Sequence, residues 1–392
     1  RRYFIMYYVG IDIAKYKHDC YICTSEGVTV LESFSFDNSN TGFKELQSAL
    51  DHLDHSQQIK IGLEATGIYG KNLKLFLSSI GYDFHEFNPL LVKRFHDSLS
   101  NRKTKTDKID ARIIALYLST GASRTYLYSS YHIEALKQLS RARNKLIRSR
   151  SDQYVIITNI LDVEFPEFKA FFHNKLSDTA LFLLNKYKTV DRMKRLTYQD
   201  CVLLHNKSRR IPTSSFEELR DLAKHTIGHH FNYNDLILSS ALQIVNTLER
   251  QIESIEKEIL AIMEELHSPI DTIPGISTLS AATILGEFGD FSKFSNPKQL
   301  CAFCGVEPAI YQSGTSFHNG RMVKHGSSEL RYVLFNAVPY LVIHNITFRE
   351  FFYKKLHEGK NYRVAQSHVV KKLLRMIYHL ELTGESFDPT LL

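Results

Sequence analysis

The feature that most restricts the fold of this chain is an apolar repeat in its middle. Hydrophobic residues recur there at alternating spacings of three and four positions, namely Leu238, Leu242, Val245, Leu248, Ile252, Ile255, Ile259, Ile262 and Leu266. This spacing keeps one stripe of a helix apolar over about four heptads, and another helix has to cover it. We expect a coiled coil or a long helical hairpin, paired either with the helix near Leu136–Leu146 or with a second subunit in a homo-oligomer (dimer or tetramer).

A strongly basic helix is predicted before this repeat, from about Ile133 to Ser151. No acidic residue lies between Glu134 and Asp152, and the helix carries Lys137, Arg141, Arg143, Lys145, Arg148 and Arg150. A solvated coiled-coil face is also basic, although it rarely has so few acids. Basic runs such as this helix and "NRKTK" follow phosphate backbones. The predicted nucleic-acid contacts are therefore Arg102, Lys103, Lys105, Arg141, Arg143, Lys145, Arg148 and Arg150.

Strand and helix patterns alternate in the first part of the chain. Three strand-like runs ("YYVGIDIA", "HDCYICTSEG" and "VTVLESFSF") precede a helix–strand–helix–strand–helix series that ends near Ser119. This order is typical of a mixed sheet with helices on its faces. The predicted organisation is an α/β domain over residues 6–125, an all-α coiled-coil segment over 130–268 and a mostly helical domain over 269–392.

The C-terminal domain is predicted to open with a phosphate-binding turn. In "IPGIS", Pro274 and Gly275 come just before a predicted helix from about Thr278 to Gly286. The N–H groups at a helix start favour anions, so Gly275 is a predicted nucleic-acid contact. The following stretch, Cys304–Arg331, is rich in glycine, serine and basic residues, and we expect it to be rich in loops and to end where Ser327 or Ser328 caps a helix.

Composition sets broad limits on function. The 392 residues carry a net charge of +7, which mildly favours a polyanionic partner. No apolar run is long enough to span a membrane. The N-terminal apolar run ends at Asp12 without a cleavage site, so we expect a cytoplasmic protein that starts at Met6.

Two cysteine pairs have the spacing of zinc ribbons. Cys20 and Cys23 lie in a strand-like run, whereas Cys301 and Cys304 follow Asn296 and a proline that predict a helix start. Neither pair has the glycine-rich turn of a zinc knuckle. We expect packed, reduced thiols.

Four carboxylates occupy positions where α/β folds collect ligands. Asp12 ends the first predicted strand, Glu64 ends the strand "KIGLEA", and Asp107 and Asp110 lie one turn apart at a helix start. Taken singly, each could be a turn residue or a helix cap. Together they form an all-oxygen set suited to Mg²⁺ or Mn²⁺, and a cation would offset the repulsion between the two helix aspartates.

Several motifs resemble one known family. "YVGIDIAKYKHD", "LEATGIYG" and "KTDKIDARIIA" look like the Asp-Glu-Asp-Asp motifs of the insertion-sequence one-ten family, which includes pilin-gene invertases. "IPGISTLSAATILGEFGD", "FCGVEPAIYQSG" and "KHGSSELRYVLFNA" are similar to that family's C-terminal transposase domain. The resemblance covers most of the chain and is weakest between about Pro166 and Asp235. It implies a ribonuclease-H-like (RuvC-like) first domain whose catalytic, metal-binding carboxylates are Asp12, Glu64, Asp107 and Asp110.

The resemblance also implies a reaction. Family members cut and rejoin DNA through a phosphoserine link, and the attacking serine maps to Ser313 of "YQSG". The link conserves the phosphodiester energy, so no nucleotide cofactor is needed. The implied partners are donor DNA, target DNA and a noncoding guide (bridge) RNA. Arg321, Lys324 and Arg331 are interpreted as phosphate clamps.

Three other interpretations of the sequence stay open. Tyr311 and Tyr332 have basic neighbours of the kinds that a tyrosine recombinase uses, but the carboxylates would then have no role. A RuvC-like nuclease would hydrolyse junction DNA with water. A non-catalytic nucleic-acid-binding protein would use only the basic helix and the coiled coil.

Overall fold

The structure is a computed structural model that describes residues 6–64, 68–87, 89–99, 107–121, 131–172, 174, 176–207, 211–313 and 316–389. The chain divides into two compact units, Arg1–Tyr128 and Ser129–Leu392. None of the described helices is both long and apolar enough to cross a membrane.

The first unit contains a five-stranded mixed sheet, as the alternating pattern predicts. Its elements are β1 (Tyr7–Ile13), β2 (Lys17–Thr24), β3 (Thr29–Asp37), α1 (Asn40–Asp51), β4 (Ile59–Glu64), α2 (Lys71–Ser79), β5 (Phe84–Phe87), α3 (Pro89–Leu99) and α4 (Asp107–Ser119). The strand order is β3-β2-β1-β4-β5. The three consecutive strands pair antiparallel, whereas β1, β4 and β5 are parallel because helices connect them.

Both faces of this sheet are covered. On one face, alternate residues of the central strands pack in a core with α1 and α2, for example Ile11, Leu63 and Leu46. On the other face, α4 lies directly on the sheet, because Gly10 and Gly62 leave room for it. A Cβ atom at Gly10 would lie 2.2 Å from the carbonyl oxygen of Ala111.

The second unit is mostly helical. Its elements are α5 (Tyr131–Glu164), α6 (Phe168–Phe171), α7 (Asp178–Tyr187), α8 (Val190–Met193), α9 (Tyr198–Lys207), α10 (Thr213–Lys224), α11 (Asn232–Leu266), α12 (Thr278–Phe288), α13 (Pro297–Cys304), β6 (Pro308–Ser313), β7 (Ser316–Met322), α14 (Ser328–His344), α15 (Ile346–His357) and α16 (Tyr362–Thr383).

The predicted helical hairpin is confirmed, with α11 packed lengthwise on α5. Leu238, Val245, Ile252 and Ile259 of the repeat are buried within the chain. The apolar spacing is therefore accounted for without a second subunit. Homo-oligomerisation stays a prediction, and a dimer or tetramer would have to use other surfaces.

Two hydrophobic cores hold the hairpin. The first half of α5 and the end of α11 pack with α12–α16, with Leu136 and Ile259 in one cluster beside Leu334. The second half of α5 and the first half of α11 pack with α6–α10. Helices on both sides of the predicted boundary at residue 268 thus contribute to the same core.

The cysteines lie in the predicted settings. Cys20 and Cys23 are buried in β2, and Cys301 and Cys304 are buried in α13. Asn296 caps α13, accepting hydrogen bonds from the backbone N–H groups of the second and third helical residues. All four thiols are free, and burial raises the pKa of Cys304. They are packed, unreactive thiols, as expected.

Candidate active site and nucleic-acid interface

Asp12 and Glu64 lie at the carboxyl ends of neighbouring parallel strands. Ile11 and Leu63 are the last residues at which β1 and β4 pair with each other. Asp12 and Glu64 are the next residues of the two strands. Side chains alternate between faces along a strand, so Asp12 and Glu64 point away from the core that buries Ile11 and Leu63. Both carboxylates are half-buried and share one face of the sheet.

That same face receives α4. Gly10, two residues before Asp12, touches the backbone of Ala111 and Ala115. Asp110 directly precedes Ala111 and is half-buried, and Asp107 is the first residue of α4. The structure thus brings the start of α4 to the face that carries Asp12 and Glu64. Carboxylate oxygens alone make a hard donor set, which fits Mg²⁺ or Mn²⁺.

The basic run before α4 is predicted to contact nucleic acid. Arg102, Lys103 and Lys105 lie outside the described residues.

Ser313 ends strand β6, directly opposite Ser316 of β7. Gly314 and Thr315, which join the strands, lie outside the described residues. Within the stretch predicted to be rich in loops, β6 and β7 form an antiparallel hairpin that was not predicted. Strand-favouring Ile310, Tyr311 and Phe317 flank the turn dipeptide Ser-Gly. Ser313 therefore lies beside the tip of a hairpin, and Arg321 lies along β7.

The predicted phosphate clamps near this hairpin have local backbone roles. Nη1 of Arg331 donates to the carbonyl oxygens of Cys304 (2.9 Å) and Gly326 (3.1 Å). Lys324 is exposed and has a positive φ of 54°. Ser327 caps α14, as predicted, by accepting from the N–H of Leu330 at 3.2 Å. These contacts fix the loop between β7 and α14.

The arginines of α5 are paired with acids from distant segments. Nε of Arg143 donates to Glu256 at 2.7 Å, and Nη2 of Arg148 donates to Glu329 at 3.0 Å. Arg150 lies 4.0 Å from Glu249 of α11. The sequence of α5 alone does not reveal these partners, which are about a hundred residues or more away along the chain. Lys145 is exposed.

Arg141 pairs with the most buried acid among these ion pairs. Its Nε and Nη2 donate to the two oxygens of Glu287 at 2.5 and 2.9 Å. Glu287 is 4% exposed and also accepts from the hydroxyl of Ser327 at 2.9 Å. Hydrogen bonding to Glu287 raises the pKa of Arg141. This carboxylate joins α5, α12 and α14. Glu287 was not predicted as a site residue, although an acid inside the apolar "LSAATILGEF" is a usable signal.

Gly275 is required by packing. Its φ is +101°, and a Cβ there would lie 2.8 Å from the backbone of Tyr340 and Leu341 in α14. Ser277 caps α12, as its hydroxyl accepts from the N–H of Ser280 at 3.2 Å. The predicted helix start at Thr278 is confirmed.

A Glu–His–Asp cluster that the sequence analysis did not predict lies where α5 ends and α11 begins. Ligand-type atoms of Glu164, His230 and Asp235 lie within 4.8 Å of one another. The two ring nitrogens of His230 lie 3.2 Å from Glu164 and 3.5 Å from Asp235. Glu164 also accepts from Nδ2 of Asn234 (2.8 Å) and the N–H of Phe231 (3.1 Å). We interpret these mutual bonds as a structural link in the hairpin.

The chain matches known proteins along most of its length. Residues 9–166 match the DEDD transposase model of IS110, described as "Transposase", and residues 267–353 match "Transposase IS116/IS110/IS902 family". The chain is 25% identical to a "Pilin gene-inverting protein" of Moraxella bovis and to another of Moraxella lacunata, over 97% of each chain. It is 20% identical to an uncharacterized 43.6 kDa protein of insertion element IS110 from Streptomyces coelicolor, over 76% of each.

Proposed function

Since the chain belongs to the IS110 family of transposases, we propose that it cuts and rejoins DNA through a phosphoserine intermediate on Ser313. Two relatives are named for inverting a pilin gene and a third belongs to an insertion element, which supports DNA rearrangement as the outcome. The observation that carries the proposal is the pair Asp12 and Glu64 at neighbouring strand ends beneath α4, inside the segment that matches the DEDD model. The sheet order also supports a ribonuclease-H-like fold.

In the proposed site, Asp12, Glu64, Asp107 and Asp110 hold Mg²⁺ or Mn²⁺. Such an ion would stabilise the negative charge on the attacking and leaving oxygens when a phosphodiester is cleaved. The proposed nucleophile is the hydroxyl of Ser313. Its oxygen forms a bond to phosphorus and gives its proton to solvent, while the bond from phosphorus to the sugar oxygen breaks and that oxygen takes up a proton and leaves as a hydroxyl. A hydroxyl of the new DNA partner then displaces the serine, so no nucleotide cofactor is consumed.

The proposed partners are donor DNA, target DNA and a noncoding guide RNA. Lys145 and Lys324 are exposed, so their charges have access to a phosphate backbone. Arg143 and Arg148 share their charge with glutamates, so they contribute to phosphate binding less than their sequence suggests. Their pairing nevertheless orients guanidinium groups on the surface of α5.

Recombination of a donor and a target plasmid tests the proposal. We expect recombination that requires Mg²⁺ and the RNA transcribed from the flanks of the gene. Asp12→Asn and Glu64→Gln should lower it at least about a hundredfold, since each removes a charged metal ligand. Glu45→Gln, at an exposed position of α1, is the matched control and should leave it unchanged. Strand cleavage that survives EDTA at full rate would refute the metal site.

A further inference from the structure

A cavity of about 790 Å³ opens in the second unit between α5, α12 and α14. One wall is a row of four side chains on α14, Tyr332, Asn336, Tyr340 and His344. Their spacing of four residues places them on one face of the helix. Tyr332 and Tyr340 are 58% and 59% exposed, so their rings are accessible.

The remaining walls combine apolar residues with polar groups that are held in position. The turn with Gly275 and the first turn of α12 form the second wall, where the hydroxyls of Ser277 and Ser280 lie 2.9 Å apart. Arg143 and Asn144 of α5 also line the cavity, and hydrogen bonds to Glu256 and Glu329 hold them in place. Among the described residues that line it, none is acidic.

We propose that this cavity binds unpaired nucleotides, whose bases stack on Tyr332 and Tyr340 while their phosphates face the start of α12 and Arg143. Aromatic rings beside cationic and N–H groups are the usual elements of single-strand binding sites. Eight residues of helix separate the rings by about 12 Å along α14, so each ring serves a separate base. A base that has left its own stack can enter the cavity and stack on one of these rings.

The inference rests on the proposed function, because it takes nucleic acid as the substrate. When strands leave one duplex and join another, unpaired nucleotides must arise. A subsite for them in the second unit would hold a displaced or exchanging strand. The shared chemistry is that of an unpaired nucleotide, which single-stranded DNA and RNA both supply.

The test is binding of short fluorescent oligothymidylate and oligouridylate to the full chain in EDTA, followed by anisotropy. Tyr332→Ala and Tyr340→Ala should each weaken binding by about 5- to 150-fold, the equivalent of one lost base stack. Tyr332→Phe and Tyr340→Phe should bind like the wild type, because the ring is kept. Tyr198→Ala, at a 66% exposed position of α9, is the matched control. The oligonucleotide that binds with the higher affinity shows whether single-stranded DNA or RNA occupies the site.

A covalent map gives a second readout. Oligonucleotides with 5-iodouracil should photo-cross-link to a peptide that contains Tyr332 or Tyr340. Unchanged affinity of the double alanine variant, with cross-links elsewhere, would overturn the inference. So would unchanged affinity with a lower mass in solution, which would mean that the tyrosines contact another protein chain.

The same assay separates this inference from the proposed function. It contains no metal and measures no cleavage, so its result does not depend on whether the chain recombines DNA. Tyrosine-dependent binding by a chain that never recombines DNA would retain the subsite and refute the recombinase. A chain that recombines DNA but binds the oligonucleotides independently of the two tyrosines would retain the proposed function and refute the subsite.

Discussion

Gly10 of β1 and Ala111 of α4 lie so close together that position 10 has no room for a side chain. A Cβ at position 10 would lie 2.2 Å from the carbonyl oxygen of Ala111 and 2.4 Å from the nitrogen of Ala115. The helix therefore packs on bare backbone, and the residue before Ala111 is the aspartate Asp110. Because Asp12 follows Gly10 on the same strand face, this contact fixes the backbone of α4 next to Asp110 relative to the strand end that carries Asp12.

Gly10→Ala should separate α4 from the sheet. We expect a loss of about 1–3 kcal/mol in the free energy of unfolding, the usual range for overpacking, together with loss of Mg²⁺-dependent cleavage. Urea unfolding measures the first effect. Gly70→Ala is the control, because the three atoms nearest to its Cβ would belong to the side chains of Ile13 and Lys74 and not to the backbone. Equal stabilities of the two variants would show that the close contact has no energetic weight.

Ile259→Asp should unfold the helical hairpin. Ile259 is 1% exposed in a core shared with α5, so the substitution buries an unpaired charge. The neighbouring Leu260 is 44% exposed, and Leu260→Asp should leave the melting temperature nearly unchanged. Thermal unfolding with light scattering distinguishes the outcomes. If the Ile259→Asp protein stayed folded but had a lower mass in solution, the apolar repeat of α11 would instead join subunits.

Arg141→Ala should destabilise the second unit more than Arg148→Ala. The first variant leaves the 4% exposed carboxylate of Glu287 without its main donor, which costs about 1–3 kcal/mol. The side chain of Arg148 is 63% exposed, and such surface pairs contribute at most about 1 kcal/mol. Chemical unfolding of both variants gives the comparison. The reverse order would show that the Arg141–Glu287 pair is not a structural link.

His230 should stabilise the chain in a pH-dependent way. Burial opposes protonation, but the hydrogen bond with Glu164 and the charges of Asp235 and Asp191 outweigh it and raise the pKa of His230. A raised pKa means that the stabilisation is complete below the ordinary value of 6.5 and is lost as pH rises through the folded-state value. His230→Gln should therefore lower the melting temperature more at about pH 5.5 than at about pH 8.5. His229→Gln, at an exposed position, is the control. A pH-independent difference would contradict this.

Periodicity and end signals predicted much of the architecture. The apolar repeat from Leu238 to Leu266 predicted the hairpin, and the alternation of strands and helices predicted the mixed sheet. Both patterns are local consequences of burial. The caps at Asn296 and Ser327 were visible as well, since a cap depends on a few adjacent residues.

The features that the sequence did not reveal depend on contacts between distant segments. Arg143 and Arg148 looked like an unopposed basic surface until Glu256 and Glu329 were placed beside them. The Glu164–His230 link spans 66 residues and has no local pattern. Gly10 was an ordinary strand residue in the sequence, and only the approach of α4 explains why position 10 has no side chain.

Covalent capture at Ser313 is the most direct measurement. Labelled donor and target DNA are incubated with the chain, Mg²⁺ and the flanking RNA, and the products are denatured and digested. We expect a DNA adduct on the peptide that contains Ser313, and Ser313→Ala should lose the adduct and strand cleavage together. Ser316→Ala, directly opposite in the hairpin, should keep both. Full cleavage by the Ser313→Ala protein, with no adduct in the wild type, would contradict the phosphoserine mechanism and identify water as the nucleophile.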